Sequence, residues 1–148
     1  MKFGIVGTNF VSDFFMKAAS YVDEAEVVGV CSGKKENAIN FSKKYNIPYV
    51  FDDYISMIES KMIDAIYIST PNVKHYEMVI NSLNRKIPVF CEKPLGTNVT
   101  QVKKMIDASK TNNTYLHDGI VPLYTNNLQT IKDNLASIGK IRKWIIKK

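Results

Sequence analysis

Two hydrophobic rhythms alternate along the chain. Short β-branched runs occupy residues 3–7, 27–31, 49–51, 65–69, 89–91 and 115–117. Between them apolar residues recur at helical spacing. In residues 72–86 Tyr76, Val79, Ile80 and Leu83 form one stripe, while Lys74, Glu77, Asn81 and Asn84 fall on the opposite side. Similar stripes run through Phe10, Phe14, Phe15 and Ala18, and through Tyr124, Leu128, Ile131 and Leu135. Asn72 and Asn98 stand where N-caps belong, the latter with Gln101 three residues on, and Asp52-Asp53 precedes another helical segment at residues 54–60. Strands alternating with amphipathic helices predict βαβ units and a parallel sheet. The expected architecture is a doubly wound α/β fold with helices on both faces.

Composition narrows the picture without changing it. A chain of 148 residues suits one domain with a real core, and 45% hydrophobic against 23% charged residues is ordinary for a globular protein. Neither internal repeats nor Pro/Gly/Ser-rich linkers interrupt the rhythm. No apolar run approaches the roughly 18 to 20 residues of a membrane span. The N-terminus passes from Lys2 directly into a strand-like run, without the apolar core of a signal peptide, so a cytoplasmic protein is expected. Cys31 and Cys91 each end an apolar run and lack Cys-x-x-Cys spacing, which points to buried core thiols rather than a disulfide, a redox pair or a metal site. The net charge of +6 comes from lysines scattered over helix faces, as at Lys43-Lys44 and Lys103-Lys104, and a solvated surface explains it better than nucleic-acid binding. Only residues 140–148 concentrate basic charge, in the pattern of a strand with basic ends.

The first strand-to-helix turn is the most informative segment. Read against G-x-G-x-x-G, Gly7 supplies the first glycine, Asn9 replaces the second and Ser12 the third, with Thr8, Phe10 and Val11 between and beside them. A pyrophosphate needs the N–H groups of a helix N-terminus and a backbone it can approach closely, and Asn tolerates left-handed geometry better than other non-glycine residues. Taken alone, the turn also reads as a tight connection without a ligand. Two further loops add to it: Ser69-Thr70-Pro71-Asn72-Val73-Lys74-His75 after the fourth strand, and Cys91-Glu92-Lys93-Pro94-Leu95 after the fifth. In a 3-2-1-4-5-6 sheet the ends of strands 1, 4 and 5 converge on the crevice where the strand order reverses.

With these three loops the chain resembles the N-terminal domain of the Gfo/Idh/MocA oxidoreductases (glucose-fructose oxidoreductase and inositol dehydrogenase). The likeness runs from Phe3 to Arg142, and the Glu-Lys-Pro run is its most specific part. It implies a Rossmann-type domain over residues 1–121, with residues 122–148 forming a connecting helix and the first strand of a substrate domain. It also implies that residues 7–11 hold the pyrophosphate, that Thr70, Pro71, Asn72 and His75 line the path from adenosine to nicotinamide, and that Glu92-Lys93-Pro94 close on the nicotinamide. Lys93 stands beside the reacting carbon in that scheme. Its backbone is restricted by the following proline, and its ammonium suits a developing alkoxide or a proton transfer. His75 is taken as a cofactor-side residue, not an acid or base, and Glu92 as a residue that orients Lys93 or binds the carboxamide. Asp118, in the run Tyr115-Leu116-His117-Asp118-Gly119, takes the acidic position of a Met-Glu-Ala-like run, whereas Val121 and Pro122 depart from the residues such relatives carry.

The expected activity is therefore that of an NAD(P)-dependent oxidoreductase acting on a sugar, polyol or related hydroxyl or carbonyl compound. The alternative is a nucleotide-binding module or a truncated fragment without turnover, since the resemblance places the substrate pocket in a second α+β domain beyond Lys148. NADP is favoured over NAD because the second strand ends without an acidic residue for the ribose 2′-OH, and Ser32, Lys34 and Lys35 follow. The apolar residues Ile141, Trp144, Ile145 and Ile146 suggest homo-oligomerisation by edge pairing.

Overall fold

A computed structural model of the chain describes residues 1–138. Its six strands are β1 (Lys2–Val6), β2 (Glu26–Cys31), β3 (Tyr49–Val50), β4 (Ala65–Ile68), β5 (Val89–Cys91) and β6 (Leu116–Asp118). Its helices are α1 (Phe10–Ala19), α2 (Lys35–Tyr45), α3 (Tyr54–Glu59), α4 (His75–Asn84), α5 (Val99–Thr111) and α6 (Asn126–Asn134). The sheet runs β3-β2-β1-β4-β5-β6 with every pair parallel, as the alternating pattern requires. The strand order therefore reverses between β1 and β4.

The central strand β4, Ala-Ile-Tyr-Ile, is buried along its whole length, as expected of a parallel strand covered on both faces. Its side chains alternate between two cores. Ile66 and Ile68 join Val6, Val28, Val89, Met57 from α3, Val79 and Leu83 from α4 and Met105 from α5. Tyr67 faces the other side with Ile5, Val30, Phe41 from α2 and the flanking Phe15 of α1. One face thus carries α3, α4 and α5, and the other α1 and α2. All the strand ends that precede helices open on the same edge.

Several helix details differ from the sequence pattern. On α4 the buried side chains are His75, Met78, Val79, Ser82 and Leu83, with Tyr76 and Ile80 only half-buried, so the inward face is rotated towards the small and polar positions. On α1 the sheet takes Ser12 and part of Phe15, while Phe10 and Phe14 stay 70% and 64% exposed. A small residue must face the sheet there because the helix starts directly above the β1 turn. The stripe of α6 is also poorly covered: Tyr124 and Ile131 are exposed, and Leu128 and Leu135 half-buried. Asn72 is not a cap. It begins a 3₁₀ turn, Asn72–Lys74, preceded by Pro71 and without a side-chain cap bond. Asp53 and Asn98 do cap, accepting from the N–H groups of Ser56 at 2.8 Å and Gln101 at 2.9 Å. Gln101 returns its side chain to the N–H of Thr97 rather than of Asn98. The basic segment at residues 140–148, with the strand and edge pairing expected of it, lies outside the described residues.

Candidate functional site

Gly7 shows why the first turn has its sequence. Its φ is +104°, a backbone region that side-chain-bearing residues rarely adopt. Its N–H donates to the carbonyl of Cys31 at the end of β2 (3.0 Å), and a Cβ built on it would lie 2.6 Å from the carbonyl oxygen of Ser69 at the end of β4. Gly7 is thus pressed between the two strands that flank β1.

Asn9 then starts α1. Its φ of −88° is extended, so it does not supply the left-handed geometry for which an Asn is suited at this position. It works through hydrogen bonds instead. Oδ1 accepts from the N–H groups of Val11 (2.9 Å) and Ser12 (3.3 Å), and Nδ2 donates to the Ser69 carbonyl (2.6 Å). One side chain therefore caps the helix and ties it to β4. Ser12, fully buried, donates to the carbonyl of Gly7 (3.0 Å) and lies 2.7 Å from the Ser69 hydroxyl. A hydroxyl here does more than a glycine would: it permits close helix–sheet packing and also stitches β1, α1 and β4 together.

Two clefts flank the N-terminus of α1. The first, about 660 Å³, lies over the ends of β1, β2 and β4. It collects Gly7, Thr8, Asn9, Ser32, Thr70 and Pro71 from the residues singled out in the sequence. It also collects Asp52, Asp53 and Ser69, which sequence reasoning did not assign to a site. The acidic pair was legible only as a helix start; its place on the cleft depends on β3 lying next to β2. Thr8 and Ser32 meet across the floor with their hydroxyl oxygens 3.2 Å apart.

The second cleft, about 640 Å³, lies on the other side of α1 and is mostly apolar. Phe10, Val11, Phe14 and Phe15 form one wall, Ile120 and Val121 another, and Glu92 and Lys93 supply the polar groups. Glu92 is held from two directions. The buried Tyr67 hydroxyl donates to its Oε1 at 2.8 Å, and the Lys93 N–H donates to Oε2 at 3.3 Å. Gly119 leaves room for it, since a Cβ there would come within 2.9 Å of the carboxylate. Burial and this bond to Glu92 push the Tyr67 phenol well above its ordinary pKa, so it stays a donor. The Lys93 side chain is exposed, and the Lys93–Pro94 peptide bond is cis.

The remaining sequence-picked residues line neither cleft. His75 is completely buried, with Nε2 2.8 Å from the Thr70 carbonyl and Nδ1 3.0 Å from that of Pro94. It joins the loops after β4 and β5 from beneath, and burial removes it from contact with a ligand in either cleft. Asn72 and Pro94 are exposed beside these loops. Lys34 precedes α2 and is exposed, Lys35 pairs with Asp52 at 2.6 Å, and Asp118 is half-buried at the end of β6. Cys31 and Cys91 are free and buried, and burial pushes both thiols up to about 12, so they are protonated and unreactive near neutral pH. Among the described residues no group of three or more His, Cys, Asp or Glu side chains is placed to hold a metal ion, and no helix is long and apolar enough to cross a membrane.

Comparison with known proteins agrees with this geometry. The family model for the oxidoreductase family with an NAD-binding Rossmann fold, GFO_IDH_MocA, matches residues 1–119. The chain belongs to the Gfo/Idh/MocA oxidoreductase family. As a family member it is 32% identical over 144 residues to scyllo-inositol 2-dehydrogenase (NADP(+)) IolU of Bacillus subtilis (strain 168), covering 97% of this chain and 44% of that protein. The solved myo-inositol 2-dehydrogenase of Lactobacillus plantarum superposes with a TM-score of 0.84 at 27% identity, covering 95% of this chain and 43% of that one. A probable dehydrogenase from Thermotoga maritima shares the fold with a TM-score of 0.86 at 24% identity, over 95% of this chain and 43% of that one. The chain spans less than half the length of the relatives it matches. Membership of the family makes nicotinamide dinucleotide the ligand class of this Rossmann domain.

Proposed function

We propose that this chain is the cofactor-binding part of an oxidoreductase that moves a hydride between NADP(H) and a hydroxyl or carbonyl compound of the sugar or polyol class. The observation that carries the reading is the Gly7–Ser12 turn: it fixes the N-terminus of α1 between two clefts of similar volume, one with a mixed polar and apolar lining and one largely apolar. A dinucleotide has that form, two mononucleotide halves joined by a pyrophosphate, and a helix N-terminus is where the pyrophosphate is stabilised.

In this scheme the N–H groups at the start of α1, with Gly7, Thr8 and Asn9, hold the pyrophosphate. Ser32, Thr70 and Pro71 border the adenosine half, with Lys34 and Lys35 supplying charge for a 2′-phosphate. Phe10 and Val11 exclude water from the nicotinamide half, next to Glu92 and Lys93. The bound nicotinamide supplies the hydride chemistry. Glu92, fixed by Tyr67, offers an acceptor to an amide group, and Lys93 offers a mobile ammonium to an oxygen that gains negative charge during the transfer. His75 is a positioning residue that sets the spacing of the Thr70 and Pro94 loops. Residues 1–121 are taken as this nucleotide-binding domain, with the following residues leading towards the part that grips substrate. The sugar or polyol class rests on the names of relatives such as the two inositol dehydrogenases. Free buried thiols suit a reducing compartment such as the cytoplasm.

Fluorescence titration of the chain with NADPH and NADH tests the reading. Saturable binding of both, weakened at least tenfold by Gly7→Val, is expected. Titration curves identical for parent and variant would remove the Gly7 turn from the site.

A further inference from the structure

The adenosine end of the first cleft contains a charge arrangement that the β2-end sequence alone does not show. β2 ends without a carboxylate, and Ser32 and Gly33 follow on the cleft wall. Across from them the loop between β3 and α3 brings in Asp52 and Asp53. Asp53 is committed to capping α3, its Oδ1 2.8 Å from the Ser56 N–H. Asp52 caps nothing. Its Oδ1 instead lies 2.6 Å from Nζ of Lys35, the first residue of α2, and both side chains remain largely in water, 74% and 64% exposed. The pair links the lip formed by α2 to the lip formed by the β3–α3 loop.

We propose that Asp52 is a specificity-determining residue that restrains the preference of this cleft for 2′-phosphorylated nucleotides. The inference rests on the dinucleotide reading of the cleft. Asp52 acts in two ways, both against NADP(H). It occupies Lys35, so a 2′-phosphate has to compete with a carboxylate for that ammonium. It also places a negative charge on the wall nearest the incoming phosphate. An unphosphorylated ribose meets neither penalty. Because the pair is solvent-exposed, the effect is modest and salt-dependent: exposed charge pairs contribute little individually and are screened beyond about 10 Å at 0.1 M ionic strength. A change of roughly two- to fivefold in affinity is the scale expected of one such charge.

The test is a double-mutant cycle read by fluorescence titration with NADPH and NADH at 50 mM and 500 mM salt, using the parent, Asp52→Asn, Lys35→Met and the double variant. Asp52→Asn is expected to tighten NADPH about two- to fivefold at low salt and leave NADH unchanged. The gain shrinks at high salt, and is reduced when Lys35→Met is present, because the two residues are coupled. Unchanged NADPH affinity in Asp52→Asn, or equal tightening of NADPH and NADH, would overturn the proposal while leaving the dinucleotide site intact. A parent that binds neither nucleotide would overturn the dinucleotide reading, and this inference with it.

Discussion

Replacing Gly7 with alanine adds one methyl group at the point where three strands meet. The added Cβ would stand 2.6 Å from the Ser69 carbonyl oxygen, 2.8 Å from the Ser69 Oγ and 3.0 Å from its carbonyl carbon. Two of these atoms are backbone, so no rotamer change relieves the overlap. The Ser69 carbonyl is also held by Asn9 Nδ2 at 2.6 Å, and the Ser69 N–H by the Val6 carbonyl at 2.9 Å. Relief therefore means separating the ends of β1 and β4 or moving Gly7 away from Cys31. A residue with a side chain at φ +104° adds a conformational penalty of about 1 to 3 kcal/mol. Together with the overlap, a loss of roughly 2 to 4 kcal/mol is expected, a large share of the about 5 to 15 kcal/mol that stabilises a domain. At about 2 to 4 °C per kcal/mol for a chain of this size, Tm should fall by roughly 5 to 15 °C. Thermal unfolding followed by circular dichroism reads this directly. Gly33→Ala is the control: it lies on the same cleft, has nothing within 4 Å of an added Cβ, and should unfold within about 0.5 kcal/mol of the parent. Equal melting curves for parent and Gly7→Ala would refute the claim that this turn is squeezed between β2 and β4.

Two other outcomes follow from the same geometry. Asn9→Asp keeps the acceptor that caps α1 but turns the Nδ2 donor into a second oxygen facing the Ser69 carbonyl; a loss of about 1 to 3 kcal/mol in chemical denaturation is expected, with NADPH binding abolished, and parent-like stability would show that the bond to Ser69 is unimportant. Cys31 and Cys91 carry thiols raised from an ordinary 9.0 to about 12 by burial, so the unfolded chain loses those protons first as pH rises. Stability should be fully retained from this source below about pH 9 and fall between pH 9 and 12. Cys31→Ala/Cys91→Ala should flatten that alkaline slope, and an unchanged slope would assign it to other groups.

The alternation of β-branched runs with helical stripes was sufficient to predict a parallel sheet of βαβ units, because period 2 and period 3.6 leave different marks. The order 3-2-1-4-5-6 rests on reading the first turn and its companion loops as a dinucleotide-binding fold, since the same alternation suits other doubly wound orders. The three loops that matter were also legible, since Gly7 permits a turn geometry that residues with side chains avoid, and Pro71 and Pro94 restrict the backbone locally. What the sequence could not show is which surfaces those loops share. The 72–75 segment places Asn72 and His75 three residues apart, yet Asn72 is in solvent and His75 is entirely buried at the start of α4, between the carbonyls of Thr70 and Pro94. The residues from 7 to 11 read as one phosphate loop, but α1 divides them between two clefts. Asn9 was recognisable as a glycine substitute, while its actual role depends on Ser69, 60 positions away. Asp52 acquired its relation to Lys35 only when β3 paired with β2. Local pattern determines elements and turns through short-range sterics and hydrophobic period; the partners of a polar side chain are set by long-range strand pairing, which only the tertiary structure specifies.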